Sequence, residues 1–195
     1  MTSGTDKPTT QEAAAEFYMM IGYCVAEWAK VQDELFRICH AALRCPKEQA
    51  AIVFYRTPQL DARLTLTDEL VRLILPKHTA GAHPHADLKF WNDILKQTRE
   101  LSSSRNRIAH HPVELRSAAK YWNVSYWNVP PESWFEIYLS ENEQLRGRSA
   151  DKSQPLLLDD LRAHLTLTRG IGELLPRFYY EKLVGHISAL PPLSP

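Results

Sequence analysis

Phe17-Tyr18-Met19-Met20-Ile21-Gly22-Tyr23-Cys24-Val25-Ala26-Glu27-Trp28-Ala29-Lys30-Val31 is the stretch whose period settles the architecture. In it and just beyond, Phe17, Met20, Ile21, Cys24, Val25, Trp28, Val31, Leu35, Ile38, Cys39 and Ala42 recur at steps of three and four. That is the repeat of one helix face, so the spacing predicts a long amphipathic helix. Thr9 can cap its start, with Glu12 reaching back to the cap, and Pro46 ends it. A helix of about 30 residues exceeds the usual globular length and implies long neighbours beside it. The expected fold class is therefore all-α, a helical bundle of four to five long helices with a small β-ribbon insertion.

Further helices follow the same logic. One is expected from Lys47 to Leu75, kinked or interrupted at Thr57-Pro58, because proline clashes with the preceding turn. After a loop from Pro76 to Pro84, a third carries Leu88, Trp91, Ile94, Leu95, Thr98 and Leu101 and ends around His110, since Pro112 biases His111 away from helical angles. A last helix is expected over Leu157 to Leu183, kinked at Pro176. Between the third and the last, Tyr121–Trp127 and Trp134–Leu139 are aromatic and β-branched and predict two strands of a ribbon. These elements read as one helical-bundle domain over residues 9–185, with the aromatic ribbon and its loop inserted at 117–153. Met1 to Pro8 reads as a polar, disordered lead, and Leu190 to Pro195 as a proline-rich tail.

The bulk numbers narrow the function. A chain of 195 residues can bury roughly 70% of its unfolded surface without staples. Lys plus Arg equals 23 and so does Asp plus Glu, which argues against a general nucleic-acid coat protein. It leaves room for a protein that touches a few nucleotides through a local arginine cluster. Cys24, Cys39 and Cys45 read as reduced core thiols, not a disulfide or metal framework. No signal peptide and no stretch of 18 apolar residues is visible, so a cytoplasmic location and no membrane contact are expected.

The candidate chemistry sits at the end of the third helix, in Arg105-Asn106-Arg107-Ile108-Ala109-His110-His111. A guanidinium can clamp a phosphate, and an imidazole can move a proton near neutral pH. Residues four apart share a helix face, which puts Asn106 beside His110. Arg105 lies about 140° around the axis from His110, within reach of a common ligand. The plainer account of the same residues is structural. Arg105 and Arg107 complement the helix dipole and pair with Glu100 or Glu114, and His110 caps a terminal carbonyl.

The Arg105-Asn106-x-x-x-His110 pattern, late in a long helix of a small helical protein, resembles the motif of the HEPN domain family. There an arginine, usually followed by a polar residue, precedes a histidine by four to six positions. The resemblance implies a helical bundle that forms twofold dimers, with no cofactor. It also implies metal-independent endoribonuclease activity in toxin–antitoxin or antiviral systems, with an antitoxin protein as a further partner. On that reading Arg105, Asn106 and His110 are the catalytic residues, and Arg107 and His111 are substrate-binding. RNA would be cut by its own 2′-hydroxyl to leave a 2′,3′-cyclic phosphate. The alternative is a non-catalytic helical dimerisation or nucleotide- or RNA-binding module.

Other constellations are weaker. His78, His83 and His85 with Asp87 form a conceivable metal cluster without a fixed ligand spacing, and no metal is expected. The aromatic ribbon could stack bases, or pack on the helices as tryptophans and tyrosines commonly do. Glu27, Gln32, Asp33 and Glu34 read as a solvated face from which one acid could orient Arg105.

Overall fold

The computed structural model describes residues 10–75, 86–110, 113–117, 135–139 and 156–191. The protein is an all-α bundle of α1 (Thr10–Leu43), α2 (Lys47–Arg56), α3 (Leu60–Ile74), α4 (Ala86–His110) and α5 (Leu158–Phe178). A π-helical turn (Tyr179–Leu183) and a short α6 (Val184–Ser188) close it. At 34 residues α1 is about 51 Å long. The chain groups into two compact units, one formed by Met1–Val25 with Arg105–Leu165 and the other by Ala26–Ser104 with Thr166–Pro195.

In the larger unit the α1 stripe continues as Val31, Leu35, Ile38 and Cys39, all buried, and meets Phe54, Leu64, Val71, Trp91, Ile94, Ile171, Leu175 and Phe178. Trp91 and Phe178 stack with centroids 4.9 Å apart. The Trp91 indole donates to Asp68 Oδ1 at 3.0 Å, which also accepts from Arg72 Nε at 2.8 Å. The stretch from Lys47 to Leu75 is interrupted at Thr57-Pro58, as expected, and forms the two helices α2 and α3. Pro58 holds Thr57 extended (φ −71°, ψ 108°) and Gln59 follows suit (φ −102°, ψ 142°). Arg63 staples the corner: its Nε donates to Thr57 O at 2.8 Å, its Nη1 to Gln32 Oε1 at 3.1 Å, and its guanidinium lies over the Phe54 ring.

The last helix also departs from a plain helix. Pro176 lacks the amide hydrogen an α-helix needs, yet α5 continues through it. The ladder then slips by one residue, and Val184 N–H bonds to Tyr179 O five positions back, the π spacing. At the other end of the chain, Arg44 closes α1 in the left-handed region (φ 54°), with its N–H bonded to His40 O at 3.2 Å.

In the smaller unit Phe17, Cys24, Ile108, Leu161 and Leu165 form the core, with Met20, Ile21, Val113, Leu156 and Leu158 packed around it. The Cys24 thiol donates to Leu161 O at 3.4 Å. The expected aromatic ribbon is corrected here. Among the described residues the only paired segments are β1 (Val113–Ser117) and β2 (Phe135–Leu139), antiparallel, with Val113 opposite Leu139 and Ser117 opposite Phe135. They are five residues each. Phe135–Leu139 pairs with the segment directly after Pro112; Tyr121–Trp127, the partner expected from sequence, lies outside the described residues. Val113-Glu114-Leu115-Arg116 alternates apolar and polar, a period-two signal weaker than that of the richer aromatic run.

Candidate functional site

The last two turns of α4 carry Arg105, Asn106, Arg107 and His110, all within the smaller unit. Buried Ile108 anchors this end in the core among Phe17, Cys24, Leu161 and Leu165. With 100° per residue, fixing Ile108 inward turns Asn106 and His110 outward, and both are exposed. Arg105 is half-buried, and its Nη1 donates to Asn106 Oδ1 at 3.0 Å. This is the guanidinium's one hydrogen bond to a described residue, and it has no carboxylate partner among them. The bond joins Asn106 to its neighbour Arg105.

The structural alternatives named from sequence fare unevenly. Glu100 pairs with Lys96 at 3.9 Å. Glu27 accepts from Lys30 at 3.0 Å and from Arg169, Glu34 pairs with Arg37, and Gln32 is taken by Arg63, so these residues have other partners. Arg107 is half-buried, with its Nε withdrawn from solvent. His111 and the loop with His78, His83 and His85 lie outside the described residues. Asp87, the fourth member of that cluster, faces Lys182 at 3.3 Å and His186 at 3.5 Å. Among the described residues no group of three or more histidine, cysteine, aspartate or glutamate side chains could hold a metal ion.

Arg105 contrasts with Arg162, another arginine of this unit. Arg162 pairs with Glu16 and, at 2.9 Å, with Asp159, while Asp160 accepts Leu157 N–H at 2.8 Å. The acids near the start of α5 are thus committed, and no carboxylate among the described residues pairs with Arg105. A guanidinium carries five N–H donors in a fork that matches phosphate geometry, and the Asn106 amide adds two more. The carbonyl end of a helix repels anions, so the arginine must supply the attraction itself. His110 follows one turn on and can donate to, or accept from, a hydroxyl beside that phosphate.

His164, on α5 between the core residues Leu161 and Leu165, is a residue the sequence reading passed over. It is 4% exposed, with both ring nitrogens withdrawn from solvent. Burial pushes its pKa below the ordinary value of 6.5. The unfolded chain therefore takes up a proton that the folded chain resists. The His164 contribution to stability is complete above about pH 6.5 and is lost progressively as the pH falls below it. The melting temperature should drop more steeply between pH 7.5 and 5.5 in the parent than in His164→Gln. Equal slopes would show that His164 does not couple folding to protons.

Among the described residues no helix is long and apolar enough to cross a membrane. No family model, no curated protein and no solved structure matches the chain.

Proposed function

We propose that the chain is an RNA-binding helical module, acting as a homodimer, in which Arg105, Asn106 and His110 seat on a phosphodiester. The observation that carries this reading is the Arg105–Asn106 hydrogen bond of 3.0 Å at the exposed end of α4, formed by a guanidinium without a carboxylate partner among the described residues. An arginine held by a neutral amide leaves a net positive charge at the site, whereas a carboxylate partner would offset it. Exposed His110, one turn away, suits a 2′-hydroxyl, the group that separates RNA from DNA.

Metal-independent cleavage is the finer reading of the same site, and the family resemblance is what suggests it. His110 would take the 2′-hydroxyl proton, Arg105 would stabilise the charge growing on the phosphate oxygens, and a second group would protonate the leaving 5′-oxygen. His164 is too deeply sealed to be that second group, so the second imidazole would come from another copy of the chain. The antitoxin partner belongs to this finer reading as well.

The test is fluorescence anisotropy with a labelled single-stranded RNA at low salt. Arg105→Ala removes charge-assisted hydrogen bonds of about 1.5–3 kcal/mol and should weaken binding about 10- to 100-fold. An unchanged affinity would remove Arg105 from the site and the reading with it. The same RNA incubated in EDTA separates the two levels. Intact RNA marks a binding module; fragments ending in a 2′,3′-cyclic phosphate, absent with His110→Ala, mark a nuclease.

A further inference from the structure

In the larger unit α1 and α5 lie side by side and leave a groove of about 430 Å³ between them. One wall is the α1 stripe Glu27, Lys30, Glu34 and Arg37, at steps of three and four, with Asp33 beside it. Arg169, Gly172 and Glu173 of α5 form the other wall. Two bonds across the helices bracket the groove. Arg169 Nε donates to Glu27 Oε1 at 3.4 Å at one end, and Arg37 Nη1 donates to the Tyr180 hydroxyl at 3.3 Å at the other. Glu27 and Arg37 are ten residues apart on one helix, so the groove is about 15 Å long.

Gly172 keeps its middle open. It lies inside α5, where glycine is less favourable than alanine. A Cβ built there meets nothing within 4 Å, so the packing of this chain does not demand a bare backbone. What the missing side chain leaves is space in the groove.

Charge decides what fits that space. Lys30 and Arg169 both bond Glu27, and Arg37 pairs with Glu34 at 3.3 Å, so three cations share two carboxylates. Asp33 and Glu173 have no cation partner among the described residues, which leaves four carboxylates against three cations. Glu34 Oε2 is withdrawn from solvent and has no hydrogen-bond partner among the described residues. A buried acceptor of that kind is uncommon and costly, and a small turn of the carboxylate toward the groove gives it to a bound donor. The acids do not converge on one point: among the described residues no three could hold a metal ion. That disfavours a compact cation and favours an extended one.

The geometry points to a linear polyamine as the ligand of this groove, an aliphatic chain with two or more ammonium groups. The ammonium groups sit on Asp33 and Glu173, one on each wall, and donate to Glu34. The methylenes between them lie over the bare Gly172 backbone and along the lysine and arginine stems. An amino acid would bring a carboxylate into a site that already holds an excess of them. The groove belongs to the larger unit and Arg105 to the smaller, so this assignment and the RNA reading stand or fall separately.

Isothermal titration of the full chain with spermidine at low salt tests it. The parent should bind saturably with a Kd below about 1 mM, the range of a weak specific site. Gly172→Leu fills the slot and should weaken binding at least about tenfold without a fall in melting temperature, because leucine suits a helix better than glycine. Asp33→Asn combined with Glu173→Gln should weaken it about tenfold as well. Glu69→Gln, which neutralises an exposed carboxylate of α3 outside the groove, should leave it unchanged. Absence of saturable binding, a Gly172→Leu or double variant that binds like the parent, or an equal loss in Glu69→Gln would overturn the assignment. So would a tetralysine peptide that saturates the groove where spermidine does not, which would give the groove to a basic protein segment.

Discussion

Trp91→Ala should cost about 3–5 kcal/mol of unfolding free energy, the range for removing a large aromatic from a packed core. Trp91 is fully buried, stacks on Phe178 at 4.9 Å and donates its indole N–H to Asp68. The alanine variant loses the buried area, the stack and the hydrogen bond together, and leaves a cavity bounded by side chains from several helices. A domain of ordinary stability has about 5–15 kcal/mol in all, so this variant should lie close to its unfolding threshold at 37 °C. Trp91→Phe keeps an aromatic ring for Phe178 and loses chiefly the bond to Asp68, about 1–2 kcal/mol. Urea titrations of both variants decide the matter. A loss below about 1 kcal/mol for Trp91→Ala would mean that the larger unit is not organised around this side chain.

Asn106→Asp should reduce RNA affinity about a hundredfold or more, beyond the effect of Arg105→Ala, although it alters only an exposed residue. The substitution turns the neutral acceptor of the Arg105 hydrogen bond into a carboxylate. The guanidinium then has a partner of opposite charge, and its attraction for phosphate falls by about the 1.5–3 kcal/mol of a charged hydrogen bond. The new carboxylate also repels the phosphate directly, by about 1 kcal/mol at 4 Å in water. Thermal stability should not fall, since an exposed ion pair contributes little either way. Asn106→Asp that binds RNA like the parent would mean that the ligand does not approach the Arg105–Asn106 pair.

The difference between what the chain announces and what it conceals is physical. The core face of α1 is readable because every third or fourth residue from Phe17 to Cys39 answers to a local period, and Val25 is its one misplaced member, exposed instead. Pro58 and Pro176 are equally visible, yet their consequences differ. Pro58 is followed by an extended residue and breaks the chain into two helices, whereas α5 continues through Pro176 to a π turn at Tyr179–Leu183. No local rule distinguishes those outcomes, because the helix around Pro176 is held by tertiary packing of Leu175 and Phe178. The β pairing of Val113–Ser117 was missed because five alternating residues compete poorly with a run of tryptophans and tyrosines.

At the candidate site, sequence spacing could name Arg105, Asn106 and His110 but not which of them bond. Helical geometry favours i,i+4 partners, and the actual bond links neighbours Arg105 and Asn106 through a long, adaptable arginine. The Arg63–Gln32 contact lay beyond reach for another reason: the residues are 31 positions apart, and no local pattern joins them.

The most direct test of the site is an amide chemical-shift map of the isotopically labelled protein titrated with single-stranded RNA at low salt. Shifts should concentrate on residues 105–110, together with the Arg105 side-chain Nε–Hε signal. Residues 47–56 of α2, which carry no part of the motif, should stay in place. Shifts confined to other surfaces, with the α4 end unmoved at saturating RNA, would contradict the assignment of RNA binding to Arg105, Asn106 and His110.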